Sequence, residues 1–212
     1  MRPYYERGGI TIYHGDCREI LPGLVAEVVV TDPVWPNAVD TLAGHEDPVG
    51  LFASAAALLP PITRRLVVQL GCNSDPRFLV AVPPEFEFFR TCWLEYTSPS
   101  YKGRLLYKSD VAYAFGCPPR VGETRVIPGM VTDTSNRPRG HASLHPTPRR
   151  LGHVSWLVKW FSNEGETVLD PFMGAGTTLV ASKVSGRRAI GIEVEERWCE
   201  AAAGRLEQDM LL

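Results

Sequence analysis

Two stretches of this chain place an acid and a proline directly after an apolar run. Thr31-Asp-Pro-Val-Trp35 follows Val28-Val-Val30, and Asp170-Pro-Phe-Met-Gly-Ala-Gly-Thr-Thr178 follows Thr167-Val-Leu169. In the first, the Asp32 carboxylate can only accept hydrogen bonds, and the backbone carbonyl of Pro33 is a second acceptor close by. Two acceptors converging on one planar NH₂ hold both of its protons. That weakens conjugation of the nitrogen lone pair with an aromatic ring and aims it at an electrophile. Positive charge developing on the nitrogen is stabilised by Asp32, most strongly in the transition state. Trp35 offers a flat face on which a base can stack.

The second stretch suits a held ligand. Gly174 and Gly176 allow close backbone approach where a Cβ would clash. Leu179 to Ser185 reads as a helix closed by Gly186, and Arg188-Ala-Ile-Gly-Ile-Glu193 as a strand ending in an acid. Strand, glycine turn, helix, strand, acid is the order of a nucleotide-type binding half. Glu193 stands where a carboxylate can accept both hydroxyl protons of a ribose. Leu179 fills the third glycine position of the dinucleotide fingerprint and no lysine follows the turn, so this is neither that fingerprint nor a triphosphate loop.

The remaining segments supply elements to position these turns. Ile10 to Tyr13, Val28 to Val30, Leu66 to Leu70, Phe86 to Tyr96 and Asp110 to Phe115 read as strands, the last two as a hairpin at one edge of the sheet. Helices are expected over Arg18 to Leu21, Val49 to Leu59, Asp75 to Val82, Pro148 to Phe161 and Glu195 to Leu212. Strands alternate with helices, which gives an α/β class with a mainly parallel sheet. In such sheets ligand chemistry sits beyond the strand C-termini, where both turns emerge. Gly116 to Pro146, rich in Gly, Pro, Arg and Ser, reads as one long functional loop.

A length of 212 residues points to one domain, 1–212. No run approaches a membrane span, and the N-terminus lacks the apolar region of a signal peptide. Five scattered cysteines without a Cys-x-x-Cys pair point to reduced thiols in a cytoplasm and no metal site. The chain carries a net −2, yet residues 101–150 hold nine Lys/Arg against three acids. A basic segment on an acidic body suits a polyanion.

Together the two turns resemble the amino-group DNA methyltransferases that use S-adenosyl-L-methionine. Residues 170–178 match the family's cofactor motif Asp-Pro-Phe-x-Gly-x-Gly-Thr-Thr, and 32–35 correspond to its catalytic Asp-Pro-Pro-Tyr. His145-Pro-Thr-Pro-Arg-Arg150 is similar to the His-Pro-Thr-x-Lys-Pro segment, and Gly191 to Leu206 to the ribose-binding strand and following helix. Catalytic motif first and cofactor motif last is the order of the β subgroup, here in a small, phage-like form. The resemblance implies a Rossmann-like methyltransferase fold: a mostly parallel seven-stranded sheet with an antiparallel edge strand and helices on both faces. It implies a catalytic half over about 1–98, a DNA-recognition segment over about 99–146 and a cofactor half over about 147–212.

Residue by residue, it implies that Asp32, Pro33 and Trp35 hold the target amine and base, rotated out of the duplex. Asp170, Phe172, Gly174, Gly176, Thr177 and Thr178 hold the methionine part of the cofactor, with the carboxylate on the helix N-terminus. Glu193 takes the ribose. Asp16 accepts from the cofactor's adenine amine, with the Cys17 amide beside it, and His145, Pro146 and Thr147 line the methionine end. Arg137, Arg139, His141, Arg149 and Arg150 are assigned to DNA phosphates. A homodimer is also implied.

The family pattern is broken by Val34 for the second proline, Trp35 for tyrosine and Pro148-Arg-Arg150 for the lysine-proline ending. No Pro-Cys pair is present, which excludes the cysteine nucleophile of cytosine C5 methylation. Adenine N6 and cytosine N4 both remain as targets, with aspartate at 32 favouring adenine in the family. A catalytically weak nucleic-acid-binding homologue is the other alternative. The small span left for base reading implies a short or loosely specified recognition sequence.

Overall fold

A computed structural model describes residues 2–36, 41–71, 73–102, 104–116, 118–119, 126–134 and 149–208. Nine strands form one sheet. They are β1 (Tyr5–Arg7), β2 (Ile10–His14), β3 (Val28–Thr31), β4 (Leu66–Leu70), β5 (Phe88–Lys102), β6 (Leu105–Phe115), β7 (Met130–Asp133), β8 (Thr167–Asp170) and β9 (Arg188–Glu193). Their spatial order is β1-β2-β9-β8-β3-β4-β6-β5-β7. Pairing is antiparallel at β1·β2, β4·β6 and β5·β6 and parallel elsewhere, so only β1 and β6 run against the rest.

The central strands are near-continuous aliphatic runs because both faces are covered. Val29, Leu66, Val68 and Leu70 point to one face, where α1 (Cys17–Ile20) and α2 (Pro48–Ala56) lie. Val28, Val30, Val67 and Val168 point to the other, against α3 (Leu151–Phe161). There α4 (Thr177–Val184) and α5 (Glu196–Gln208) bury Leu179, Val180, Cys199, Ala202 and Leu206 over Ile10 and Ile12. On the first face Phe52 of α2 stacks on Phe78, with ring centroids 4.6 Å apart.

From β3 the chain crosses through α2 to β4, on one side. From β8 it crosses through α4 to β9, on the other. Right-handed crossovers in opposite directions put their helices on opposite faces and leave a crevice at the C-terminal ends of the two neighbouring strands. Register pairs Val28 with Val168 and Val29 with Leu169, so the turns at 32–35 and 170–178 leave the sheet side by side.

All seven expected strands form; the sheet has two more. β1 is a three-residue edge strand turned into β2 by Gly8-Gly9, at φ +59° and +79°. Both positions of such a turn need positive φ, so the Gly-Gly pair is a legible signal that the sequence reading passed over. β7 lies inside the stretch read as one long loop. It docks parallel on β5, pairing Trp93 with Met130 and Tyr96 with Asp133, so the β5–β6 hairpin is not the edge of the sheet. The hairpin also takes in 99–102 and 105–109, which the sequence reading had set aside for DNA recognition.

Candidate active site

The two turns are tied at their base. Thr31 at the end of β3 donates its hydroxyl to Asp170 Oδ1 at 2.8 Å, and the amide of Phe172 donates to the same oxygen at 3.1 Å. Asp170 is buried, and burial pushes its carboxyl up to about 6 against the hydroxyl donors Thr178 and Thr31. The structure therefore gives this aspartate the task of shaping the turn and joining β8 to β3. Its folded carboxyl keeps a proton to about pH 6 while the unfolded one releases it near 3.8. Stability contributed through Asp170 therefore falls as pH rises between those values and is level above them. Denaturant melts from pH 4 to 7 should show this fall, roughly 3 kcal/mol for about two pK units, and Asp170→Asn should remove that share while leaving the one from Asp32, whose carboxyl is raised over the same range.

Glu193 closes the other side of the glycine turn. Its carboxylate accepts from the amide of Gly174 at 3.0 Å and from that of Glu195 at 2.9 Å, and burial raises its pKa. Gly176 caps α4 at φ +76°, and a Cβ there would lie 2.7 Å from the Cβ of Ala202. α4 has no side-chain cap, so its first amides face the crevice mouth as donors for an anion. Arg205 of α5 donates to Ala175 O and to Thr177 Oγ1, bracing the turn from behind. These residues fit the expected cofactor: a turn with little side-chain bulk, a carboxylate at the tip of β9 and an uncapped helix end.

Asp16 follows β2 at the same edge of the sheet. It caps α1 and accepts from the Arg18 backbone amide at 2.8 Å and from its guanidinium. That pairing holds its carboxyl below the ordinary range. The thiol of neighbouring Cys17 is buried and pushed up to about 12, which leaves it inert as a nucleophile.

At the end of β3, Asp32 meets Arg149. The guanidinium donates through Nε to Oδ2 at 2.5 Å and through Nη2 to Oδ1 at 2.9 Å. Its third nitrogen, Nη1, donates to Asp110 Oδ2 at 2.9 Å, and Tyr96 Oη donates to the same oxygen. Burial pushes the Asp32 carboxyl up to about 6, with Arg149 pulling it back down. The guanidinium carbon lies 4.0 Å above the centre of the Trp35 ring. Gly71 lies against the same indole, where a Cβ would come 2.5 Å from Cζ3 and 2.9 Å from Cη2. Trp35 Nε1 is buried without a partner among the described residues. Next along the chain, Arg150 reaches Asp133 at 3.6 Å and covers the ring of Tyr96 at 4.7 Å.

Asp110, Tyr96 and Asp133 were missed as site residues. They arrive on β6, β5 and β7, and only the strand order brings them to the edge that carries Asp32. Of the residues assigned to DNA phosphates, Arg149 and Arg150 lie within the described residues. Two consecutive cations before a helix read as phosphate contacts, but both guanidiniums turn inward onto aspartates, with side chains 15% and 17% exposed. Arg137, Arg139, His141, His145, Pro146 and Thr147 lie outside the described residues. Among those described, no helix is long and apolar enough to cross a membrane.

Comparison with known proteins agrees with this geometry. The Escherichia coli (strain K12) protein YubD, provisionally described as a methylase, is 28% identical over 210 residues, 91% of this chain and 88% of its own. The type II methyltransferase M2.DpnII of Streptococcus pneumoniae is 40% identical over 68 residues, 32% of this chain and 25% of that protein. The crystal structure of M1.HpyAVI with S-adenosyl-L-methionine covers 93% of this chain at TM-score 0.66 and 24% identity, over 98% of its own length. The cytosine-N4-specific PvuII methyltransferase covers 96% at TM-score 0.71 and 17% identity, over 88% of its length. At these identities the two structures speak for the Rossmann-like methyltransferase fold. The family profile described as DNA methylase, for N6 and N4 amino-methyltransferases, matches residues 84–204, more than half of the chain. The chain therefore belongs to the N6/N4 family of DNA methylases, which transfer a methyl group from S-adenosyl-L-methionine to an exocyclic amine of a base in DNA.

Proposed function

We propose that this enzyme methylates N6 of adenine, with Asp32 and the Pro33 carbonyl as acceptors for the target amine and Trp35 as the stacking face. The observation that carries this reading is the placement of Asp32 beside the Asp170 turn at the β3–β8 crevice. When bound, S-adenosyl-L-methionine supplies the electrophilic methyl group. Asp32 draws one N–H of the amine and the Pro33 carbonyl the other, which localises the nitrogen lone pair and orients it toward the cofactor half of the crevice. As the new N–C bond forms and the methyl's bond to sulfur breaks, its electron pair remaining on the departing S-adenosylhomocysteine, the ionised Asp32 would stabilise the charge on nitrogen, and the surplus proton would pass to solvent. Glu193 takes the ribose hydroxyls, Phe172 to Gly176 and Thr177-Thr178 take the methionine end, and Asp16 and Cys17 take the adenine end. The base must leave the duplex to reach this crevice, because its amine is otherwise engaged in pairing.

The choice of adenine rests on aspartate at position 32, where serine is commoner in enzymes that resemble this one and act on cytosine N4. Arg137, Arg139 and His141 are the proposed phosphate contacts. The β-subgroup order, the phage-like small form, a homodimer and a cytoplasmic site of action belong to the same reading and rest on the resemblance. Labelled S-adenosyl-L-methionine with unmethylated DNA, followed by digestion to nucleosides, should yield N6-methyldeoxyadenosine. Label found only in N4-methyldeoxycytidine would overturn the choice of base, and no label in DNA the reaction itself.

A further inference from the structure

We infer that Arg149 is the resting occupant of the target-base site, and that a flipped base enters by displacing its guanidinium from Asp32 and from the face of Trp35. This rests on the proposed roles of Asp32 and Trp35. The guanidinium already makes two of the contacts proposed for the base, the one to Asp32 and the one to the Trp35 face. It is planar, presents two adjacent N–H donors to the two oxygens of Asp32, and lies flat over Trp35 at 4.0 Å. Gly71 lies against the Cζ3 and Cη2 atoms of the indole, leaving no room there for even a Cβ. A base and the guanidinium cannot both occupy the covered face of Trp35 and the two oxygens of Asp32, and one must yield.

The structure also contains a place for the guanidinium to remain. Nη1 already holds Asp110 Oδ2 at 2.9 Å, and Asp110 is buried and steadied by Tyr96 Oη. An arginine pivoting about Asp110 gives up Asp32 without losing every carboxylate partner, so its charge is never left buried alone. In the resting state the same contacts compensate the charge of the partly buried Asp32. Arg149 thus sets a threshold for entry. A base whose edge offers Asp32 no N–H donor gains nothing that replaces the guanidinium.

The test reads the guanidinium directly. In protein labelled with ¹⁵N-arginine, the Arg149 Nε–H resonance is assigned by its loss in Arg149→Lys. It should shift or broaden when unmethylated DNA is added to saturation with S-adenosylhomocysteine present. A resonance unchanged by bound DNA overturns the proposal. A shifted resonance without methyl transfer by the native enzyme would support the displacement and count against the methylation reading. Kinetics give a second, independent arm. Arg149→Ala removes the competitor, so KM for DNA should fall, about ten-fold if the plugged form is the main resting state. Ethylguanidinium should then inhibit that variant competitively with DNA. If Arg149→Ala instead lowers kcat and ethylguanidinium restores it, Arg149 is a support that stays in place and the displacement is wrong. Arg149→Lys keeps a charge for Asp110 and serves should the alanine variant fail to fold. Its KM for DNA should also drop, because an ammonium neither forks onto Asp32 nor stacks.

Discussion

Replacing Asp32 by alanine should lower kcat for methyl transfer to DNA by about 10²–10³-fold, the scale of losing one preorganised electrostatic partner of the transition state. Affinity for S-adenosyl-L-methionine should hardly change, because the residues proposed to bind it lie after β2, on the turn from β8 into α4 and at the tip of β9. Stability is a concern for any variant in an ion pair. Removing one member of a buried pair strands the other and costs about 3–5 kcal/mol. Here the cost should be at or below the low end. Arg149 keeps its bond to Asp110, and the Asp32 side chain is 25% exposed. Asp32→Asn separates charge from shape, since it fills the same space with one acceptor oxygen and no charge, and it should lie between alanine and the native enzyme. Single-turnover labelling checks the rates and calorimetric cofactor binding checks the fold. Labelling in Asp32→Ala at the native rate would remove this carboxylate from the chemistry.

Replacing Glu193 by alanine should weaken cofactor binding by on the order of 100-fold, with the fold intact. Hydrogen bonds to a charged group contribute about 1.5–3 kcal/mol each, and two ribose hydroxyls would lose their acceptor. The same change releases the amides of Gly174 and Glu195, so the glycine turn loses its tie to β9. Glu193→Gln tells the two effects apart. Its amide oxygen can still accept from the turn, but the group no longer offers a charged acceptor to both hydroxyls. A dissociation constant for S-adenosyl-L-methionine unaffected in Glu193→Ala would show that the ribose lies elsewhere. With Asp32→Ala, this variant divides the crevice into a half that binds and a half that reacts.

Much of this arrangement is legible locally. Val28 to Val30 and Leu66 to Leu70 read as strands because unbroken aliphatic runs are what a doubly covered sheet requires. The turn at 170–178 is legible because few other sequences satisfy a tight strand-to-helix turn with a backbone open to a ligand. β7 could not be read, since only one of its four residues is buried and the run has no apolar periodicity of its own. Its strand character comes from β5, which supplies the partner.

The sequence by itself determined the residue types of both turns, the acid at the tip of β9 and the alternation that makes the sheet parallel. Each depends on neighbours within one element, where φ/ψ preference and apolar period act directly. Only the tertiary structure decided that Arg149 turns inward. In sequence it stands 117 residues from Asp32 and 39 from Asp110. A cation before a helix goes to solvent or to an anion according to which carboxylates the sheet brings within reach. Here the order β3-β4-β6 sets two aspartates around one indole, and the guanidinium is drawn between them.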